Sequence, residues 1–169
     1  MPKESLIHVA KKYYAQAAEK GHGYSCFMLG SIAKDEGNNE LAFKSFRKGY
    51  DLKHEYSAYE LGRCFDKGIG TPVDENSAFE CYKYAADHGV AEAAYQVAAT
   101  YADGLEDVVA KDLEMSLKYM TQAFDGGYKT AGQMLPIYYI NGLGTPVDLE
   151  KAAEIAAIGR VFQRRYTGA

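Results

Sequence analysis

Apolar residues recur along the chain at intervals of three and four, the spacing of one face of an α-helix. The pattern is clearest in residues 56–65, where Ala58, Leu61, Gly62 and Phe65 form one stripe. Three further stripes have the same spacing: Cys26/Leu29/Gly30/Ala33, Ala94/Val97/Ala98/Tyr101 and Gly132/Leu135/Pro136/Tyr139. The pattern predicts a helix in each of the four places, here termed helix A.

A second helix, termed helix B, is predicted after each of these. It is clearest in residues 77–86, which are rich in alanine and aromatic residues and are followed by His88 and Gly89. Its counterparts begin near Asn39, Leu113 and Leu149. Aspartate is a preferred N-cap residue, and three aspartates stand just before a predicted helix B: Asp74, Asp112 and Asp148.

The helix pairs belong to a repeat. Residues 68–74 read Gly-Ile-Gly-Thr-Pro-Val-Asp, and residues 142–148 differ from them only at the second position. A degenerate copy with an insertion lies between them, in residues 103–112. Upstream of each turn stands a second marker, at Leu29–Gly30, Leu61–Gly62, Val97–Ala98 and Leu135–Pro136. A period of this size indicates a helical solenoid. Proline inside a helix removes a hydrogen bond, so Pro136 is expected to kink or break the last helix A.

Composition narrows the class of protein. The chain has 169 residues, of which 47% are hydrophobic and 25% charged, and a formal net charge of −4. That balance is typical of a globular protein and argues against nucleic-acid binding. No apolar run approaches the ~20 residues of a membrane helix, and residues 1–8 do not resemble a signal peptide. Three cysteines fit a reducing compartment, so a cytoplasmic protein without membrane insertion is expected.

The repeat resembles the Sel1-like repeat, a longer-looped relative of the tetratricopeptide repeat. Residues 57–88 carry its motif most completely, with Ala-Tyr-x-Leu-Gly at 58–62, followed by Gly-x-Gly and an alanine- and tyrosine-rich helix. The resemblance implies an all-α fold, a right-handed superhelical solenoid of antiparallel helix pairs. It predicts one helical-repeat domain over 1–169: an N-terminal capping helix 1–22, four repeats and a C-terminal helix end 161–169. The repeats are 23–56, 57–90, 91–128 and 129–160. The alternative for residues 1–22 is that the chain is part of a longer array.

Catalytic and metal chemistry find little support in the sequence. His22 and His54 share one repeat position, so they are expected to be surface loop residues, and no metal or cofactor site is predicted. The Gly-x-Gly pairs follow helices rather than strands, which favours turns over phosphate binding. One cysteine-rich branch of the family has a disulfide in each helix pair. Cys26 matches one of its positions, but Tyr50 occupies the other, so Cys26, Cys64 and Cys81 are expected to be reduced thiols.

That branch also implies an alternative function, weak penicillin binding or hydrolysis. Its Ser-x-x-Lys element occurs at Ser31–Lys34 and at Ser45–Lys48, without the accompanying elements. The expectation is therefore that the protein is not an enzyme.

A partner-binding groove is what the resemblance implies. The first helices of the repeats would line its concave side, with an aromatic and arginine stripe of Tyr24, Phe27, Tyr56, Tyr59, Arg63 and Tyr95. Tyr56, Tyr59 and Arg63 are spaced three and four apart and would form its centre. The alternative is that Tyr59 and Tyr95 only pack between helices. The predicted function is a scaffold or adaptor that binds another protein or peptide, or else an immunity or regulatory protein that binds a cognate effector.

Overall fold

The computed structural model describes the backbone of residues 3–167 and the side chains of residues 6–160. That part of the chain contains nine α-helices and no named strand; an isolated β-bridge joins Leu105 and Val109. The helices are α1 Lys3–Glu19, α2 Gly23–Asp35, α3 Asn39–Asp51, α4 Glu55–Lys67, α5 Glu75–Asp87, α6 Ala91–Asp103, α7 Leu113–Asp125, α8 Lys129–Asn141 and α9 Leu149–Thr167. The predicted all-α helical-repeat solenoid is confirmed.

The helices are grouped in two compact units, of which the first ends at Ala85 and the second begins at Ala86. In the first unit α2 packs against α3, and α3 against α4. In the second unit α6 packs against α7, and α8 against α9. The predicted division into repeats, with its capping helix, stays a prediction.

The small residue of the Leu–Gly marker allows the two helices of a repeat to pack closely. A Cβ placed on Gly30 would lie 2.6 Å from the Phe46 ring, and one on Gly62 would lie 2.8 Å from the Tyr82 ring. Leu61 is fully buried beside this contact. The glycine therefore makes room for a large aromatic side chain, and this packing offsets the ~1 kcal/mol by which glycine weakens a helix.

The Gly-x-Gly turn ends helix A in a left-handed conformation. Gly68 caps α4 with φ of 68°, and Gly142 caps α8 with φ of 66°. The second glycine of each pair contacts the first turn of an earlier helix: a Cβ on Gly70 would overlap the carbonyl oxygen of Asn39. In the second unit Gly144 has the same relationship with Leu113. The motif is thus a helix connection, as predicted.

The predicted aspartate caps are confirmed by geometry. The Asp112 side chain accepts a hydrogen bond from the Met115 amide at 3.0 Å, and Asp148 accepts one from the Lys151 amide at 2.9 Å. Asp74 accepts from the Ser77 amide at 3.0 Å. Each bond satisfies one of the amide groups that a helix leaves free in its first turn.

Pro136 was predicted to kink or break its helix; it does not break it, and the kink stays a prediction. The α8 helix runs without interruption from Lys129 to Asn141. Pro136 lies in its buried face, with Leu135 only 1% and Tyr139 7% exposed. Burial of that face stabilises the helix despite the missing hydrogen bond, because packing supplies most of the stability of a helix in a protein.

The three cysteines are free and buried in the first unit, as expected for reduced thiols. Burial raises the pKa of Cys64 to about 11 and the pKa of Cys81 to about 12. Burial also raises the pKa of Cys26, although the positive charge of Lys48 opposes the shift. These thiols are part of the core, where cysteine behaves as a small apolar residue.

Candidate functional site

Four rings from α2, α4 and the residue preceding α4 form a continuous aromatic patch, here called the α2–α4 face: Tyr24, Phe27, His54 and Tyr56. Ring centroids are 6.2 Å apart for Tyr24 and Phe27, and 6.1 Å apart for Phe27 and Tyr56. The His54 ring touches all three, at 5.5–6.3 Å. Three of the predicted groove residues therefore lie together.

The two tyrosines of the patch are exposed, whereas Phe27 packs against the core. Tyr24 is 49% exposed and Tyr56 46% exposed, although both are large aromatic side chains. Phe27 is half-buried, and its ring lies 6.3 Å from that of Phe46 in the core. The α2–α4 face thus presents two accessible tyrosine rings on a fixed base.

One helical turn further along α4, a charged cluster adjoins the aromatic patch. The Glu60 carboxylate accepts hydrogen bonds from the Lys34 ammonium at 2.7 Å and from the Arg63 guanidinium at 3.0 Å. The side chain of Glu60 is only 12% exposed, whereas that of Arg63 is 32% exposed. Burial acts to lower the pKa of the Arg63 guanidinium, but the Glu60 carboxylate and the hydroxyls of Tyr59 and Tyr82 together more than offset it, so the pKa is raised.

Tyr59 and Tyr95 are less accessible than the two exposed tyrosines. Tyr59 is half-buried, with its ring centroid 5.8 Å from that of Tyr82 on α5. The Arg63 guanidinium lies over the same Tyr59 ring at 6.0 Å. Tyr95 is half-buried in the second unit, where its ring is 5.1 Å from that of Tyr128. The structure therefore places five of the six predicted residues on α2 and α4, and Tyr95 on α6.

His54 is a residue whose environment sequence reasoning missed. It precedes α4 as its N-cap: its Nδ1 accepts a hydrogen bond from the Ser57 amide at 3.2 Å and lies 3.0 Å from the Ser57 hydroxyl. The ring is half-buried, and burial lowers its pKa. His22 precedes α2 in the same way, with Nδ1 2.9 Å from the Ser25 hydroxyl, but its side chain makes no capping hydrogen bond. The recurring His-x-x-Ser spacing was the available sequence signal.

The first Ser-x-x-Lys element is engaged in structural contacts, and the serine of the second is buried. The Ser31 hydroxyl donates to the carbonyl oxygen of Phe27 at 3.0 Å, and Lys34 is paired with Glu60. Ser45 is only 6% exposed. Neither serine is presented as an accessible nucleophile.

Metal-binding clusters and membrane-spanning helices are absent from the part of the chain that the structure describes. No three of its histidine, cysteine, aspartate and glutamate side chains are grouped so as to hold a metal ion. None of its helices combines the length and the apolar character that a membrane span requires.

The repeat period, the helix pairs and the capped turns agree with a family model. The model described as "Sel1 repeat" matches residues 5–22, 55–90, 91–128 and 131–156. The chain belongs to the Sel1 repeat family. Sel1 repeats are generally protein–protein interaction modules, and proteins built from them are typically scaffolds without enzymatic activity.

Solved Sel1 repeat structures resemble the chain closely in fold. A protective antigen of uropathogenic Escherichia coli, c5321, is 26% identical with a TM-score of 0.80, covering 89% of this chain and 33% of that one. A Sel1 repeat protein from Oxalobacter formigenes is 22% identical with a TM-score of 0.74, covering 83% of this chain and 58% of that one.

A curated relative is much longer. The chitin synthase regulator SKT5 of Malassezia restricta is 25% identical over 116 residues, which are 68% of this chain and 8% of that protein. The chain thus spans a small part of that relative and less than two thirds of both solved structures.

Proposed function

We propose that this Sel1 repeat chain is an interaction scaffold or adaptor whose α2–α4 face binds a segment of another protein. The observation that carries the proposal is the pair of exposed tyrosines, Tyr24 and Tyr56, on the half-buried base of Phe27 and His54. Aromatic rings and arginine are enriched where binding energy is concentrated.

The α2–α4 face is suited to binding because its side chains are held in place before a partner arrives. The Tyr24 and Tyr56 rings rest on neighbouring rings, and Glu60 fixes Arg63 in one direction. Side chains that are already ordered lose little conformational entropy on binding. Arg63 and the two tyrosines therefore form the centre of the proposed site.

Phe27, Tyr59 and Tyr95 have a different role in the proposal. Phe27 packs against Phe46 and supports the exposed rings. The Tyr59 ring packs against Tyr82, and the Arg63 guanidinium lies over it. Tyr95 stands at the repeat position of Phe27 and packs on Tyr128 in the same way as Phe27 packs on His54. By this likeness, Tyr95 would take in the second unit the supporting role that Phe27 has in the first.

The bound partner would be a protein or peptide in a reducing compartment. The three free, buried cysteines support a cytoplasmic setting, because such thiols persist where disulfides do not form. The similarity to a chitin synthase regulator supports a regulatory role, in which the scaffold controls the activity of a cognate protein.

The proposal is tested by affinity capture from the source cells, with partners identified by mass spectrometry. The parent chain is compared with the double variant Tyr24→Ala/Tyr56→Ala and with the control Tyr13→Ala, which removes an exposed tyrosine from α1. We expect one protein to be captured in stoichiometric amount by the parent and the control, and to be lost with the double variant. Equal capture by all three chains would contradict the proposal.

A further inference from the structure

The second unit contains a cavity that the α2–α4 face does not involve. Its volume is about 390 Å3, and it lies between the end of α7, the helix α8 and the helix α9. The apolar residues that line it include Phe124, Pro136 and Ala156. Gly132 and Gly159 form part of its floor, where the two helices approach closely enough that a Cβ on Gly159 would lie 3.4 Å from the Gly132 oxygen.

The cavity exists because the last repeat lacks a large side chain that the other three possess. The eighth residue of the second helix of each repeat is Phe46, Tyr82, Met120 and Ala156 in turn. Phe46 and Tyr82 fill the space over the marker glycine of their own repeats. Met120, at the same position in the third repeat, is only 2% exposed. In the last repeat the small side chain of Ala156 leaves that space open beside Pro136.

The charged side chains that line the cavity, among the described residues, are both basic. Lys129 and Arg160 line it, Gln133 adds a polar amide, and no acidic side chain is among the described residues that line it. This is unusual in a chain with a net charge of −4. An anionic group would therefore be favoured at the rim.

We propose that this cavity is a binding site for an apolar ring that carries a carboxylate. An apolar cavity of about 150 Å3 holds a benzene molecule, so this one has room for a ring and for the group attached to it. The ring would occupy the space that Phe46 and Tyr82 fill in their repeats, and the carboxylate would meet Arg160 and Lys129. A free aromatic acid and the C-terminal residue of a protein chain share this chemistry.

The first experiment titrates the full chain with three probes, followed by two-dimensional amide NMR. The probes are 3-phenylpropionate, N-acetyl-phenylalanine and N-acetyl-phenylalanine amide, which lacks the charge. We expect both acids to shift the amide signals of Gly132 and Gly159, and the neutral amide to bind at least about tenfold more weakly. Equal binding of the amide, or no shift at these glycines, would overturn the proposal.

A third acid distinguishes the source of the ligand. A four-residue peptide that ends in phenylalanine presents the same ring and carboxylate at the end of a chain. Binding as tight as that of N-acetyl-phenylalanine would identify the ligand as a protein C-terminus. Binding of the small acids alone would identify it as a free aromatic acid.

Two matched variants test the position of the ring. Ala156→Phe restores the side chain type of the other repeats, so it should fill the cavity and abolish binding while the chain stays folded. Ala157→Phe places the same ring at the neighbouring exposed position of α9 and should leave binding unchanged. If Ala156→Phe unfolds the chain, Ala156→Leu fills the cavity with a smaller side chain and takes its place in the test. Binding retained by a folded Ala156 variant with a large side chain would refute the site.

Arg160→Gln tests the charge. It should remove most of the preference for the acid over the amide and leave the weak binding of the amide unchanged. An unaltered preference would exclude Arg160 from the site. Because α2 and α4 take no part, these results are independent of whether the α2–α4 face binds a protein.

Discussion

The Phe46 ring lies directly against the backbone of Gly30, where a Cβ would stand 2.6 Å from the ring carbon Cε1. Tyr82 has the same relationship with Gly62, at 2.8 Å. In the first two repeats, therefore, one glycine is paired with one large ring. Where Ala156 replaces the ring in the last repeat, a cavity takes its place.

Gly30→Ala should destabilise the first unit. The added methyl group must displace the buried Phe46 ring, and overpacking of this kind typically costs about 1–3 kcal/mol, more than the ~1 kcal/mol gained from better helix propensity. Urea denaturation measures the free energy of unfolding. Gly132→Ala is the matched control, because its Cβ would meet the Phe124 ring at an ordinary 3.4 Å; a loss as large as that of Gly30→Ala would contradict this account.

Two glycines with left-handed backbones separate conformational strain from crowding. Gly37 and Gly70 have φ of 75° and 71°, but a Cβ on Gly37 meets nothing within 4 Å, whereas one on Gly70 overlaps the Asn39 carbonyl. Gly37→Ala should cost about 1–2 kcal/mol, the strain of a left-handed residue. Gly70→Ala should cost clearly more. Equal losses in urea denaturation would show that the turn does not rest on Asn39.

The fold was predictable from the sequence because the same sequence pattern recurs in each repeat. The Leu–Gly marker, the aspartate caps and the Gly-x-Gly turns act within one repeat or between adjacent repeats, so spacing alone locates them. The break considered at Pro136 does not occur, because the burial of its helix face outweighs the local effect of the proline. The propensity of one residue does not reveal how much of its helix is buried.

The candidate site was less predictable, because it depends on contacts between repeats. Spacing placed Tyr24 and Tyr56 on first helices, but not the His54 ring that joins them. His54 was expected to be a surface loop residue, yet it caps α4 and lies half-buried among rings contributed by α2 and α4. The position of a residue in a loop does not reveal which side chains of the neighbouring repeat pack against it.

His54 should make the stability of the protein depend on pH. Burial holds its folded-state pKa below the ordinary 6.5, so in mildly acidic solution the unfolded chain binds more protons than the folded chain. The contribution of His54 is complete above pH 6.5 and is lost as the pH falls towards the folded-state pKa. The free energy of unfolding should therefore decrease on acidification.

His54→Asn provides the comparison for this effect. Asparagine keeps an N-cap acceptor but does not titrate. Urea denaturation on either side of pH 6.5 should show a smaller pH dependence in the variant than in the parent. An identical dependence in both chains would assign the effect to other groups.

The three cysteines should be slow to react in the folded protein. Burial shields them and keeps Cys64 and Cys81 protonated at neutral pH, with pKa values of about 11 and about 12. A thiol must be accessible and deprotonated to attack a disulfide reagent. A chromogenic disulfide reagent should therefore label all three only after urea is added. Rapid labelling of the native chain would contradict the buried arrangement.

The central claim, that the α2–α4 face and the adjoining Arg63 together bind a partner protein, is tested most directly by titration calorimetry with the captured partner. Arg63→Ala is compared with Arg47→Ala, which removes an exposed arginine from α3. The account predicts that Arg63→Ala weakens binding by about 30-fold, or about 2 kcal/mol, with the fold intact, and that Arg47→Ala binds like the parent. Binding by folded Arg63→Ala as tight as that of the parent would contradict it.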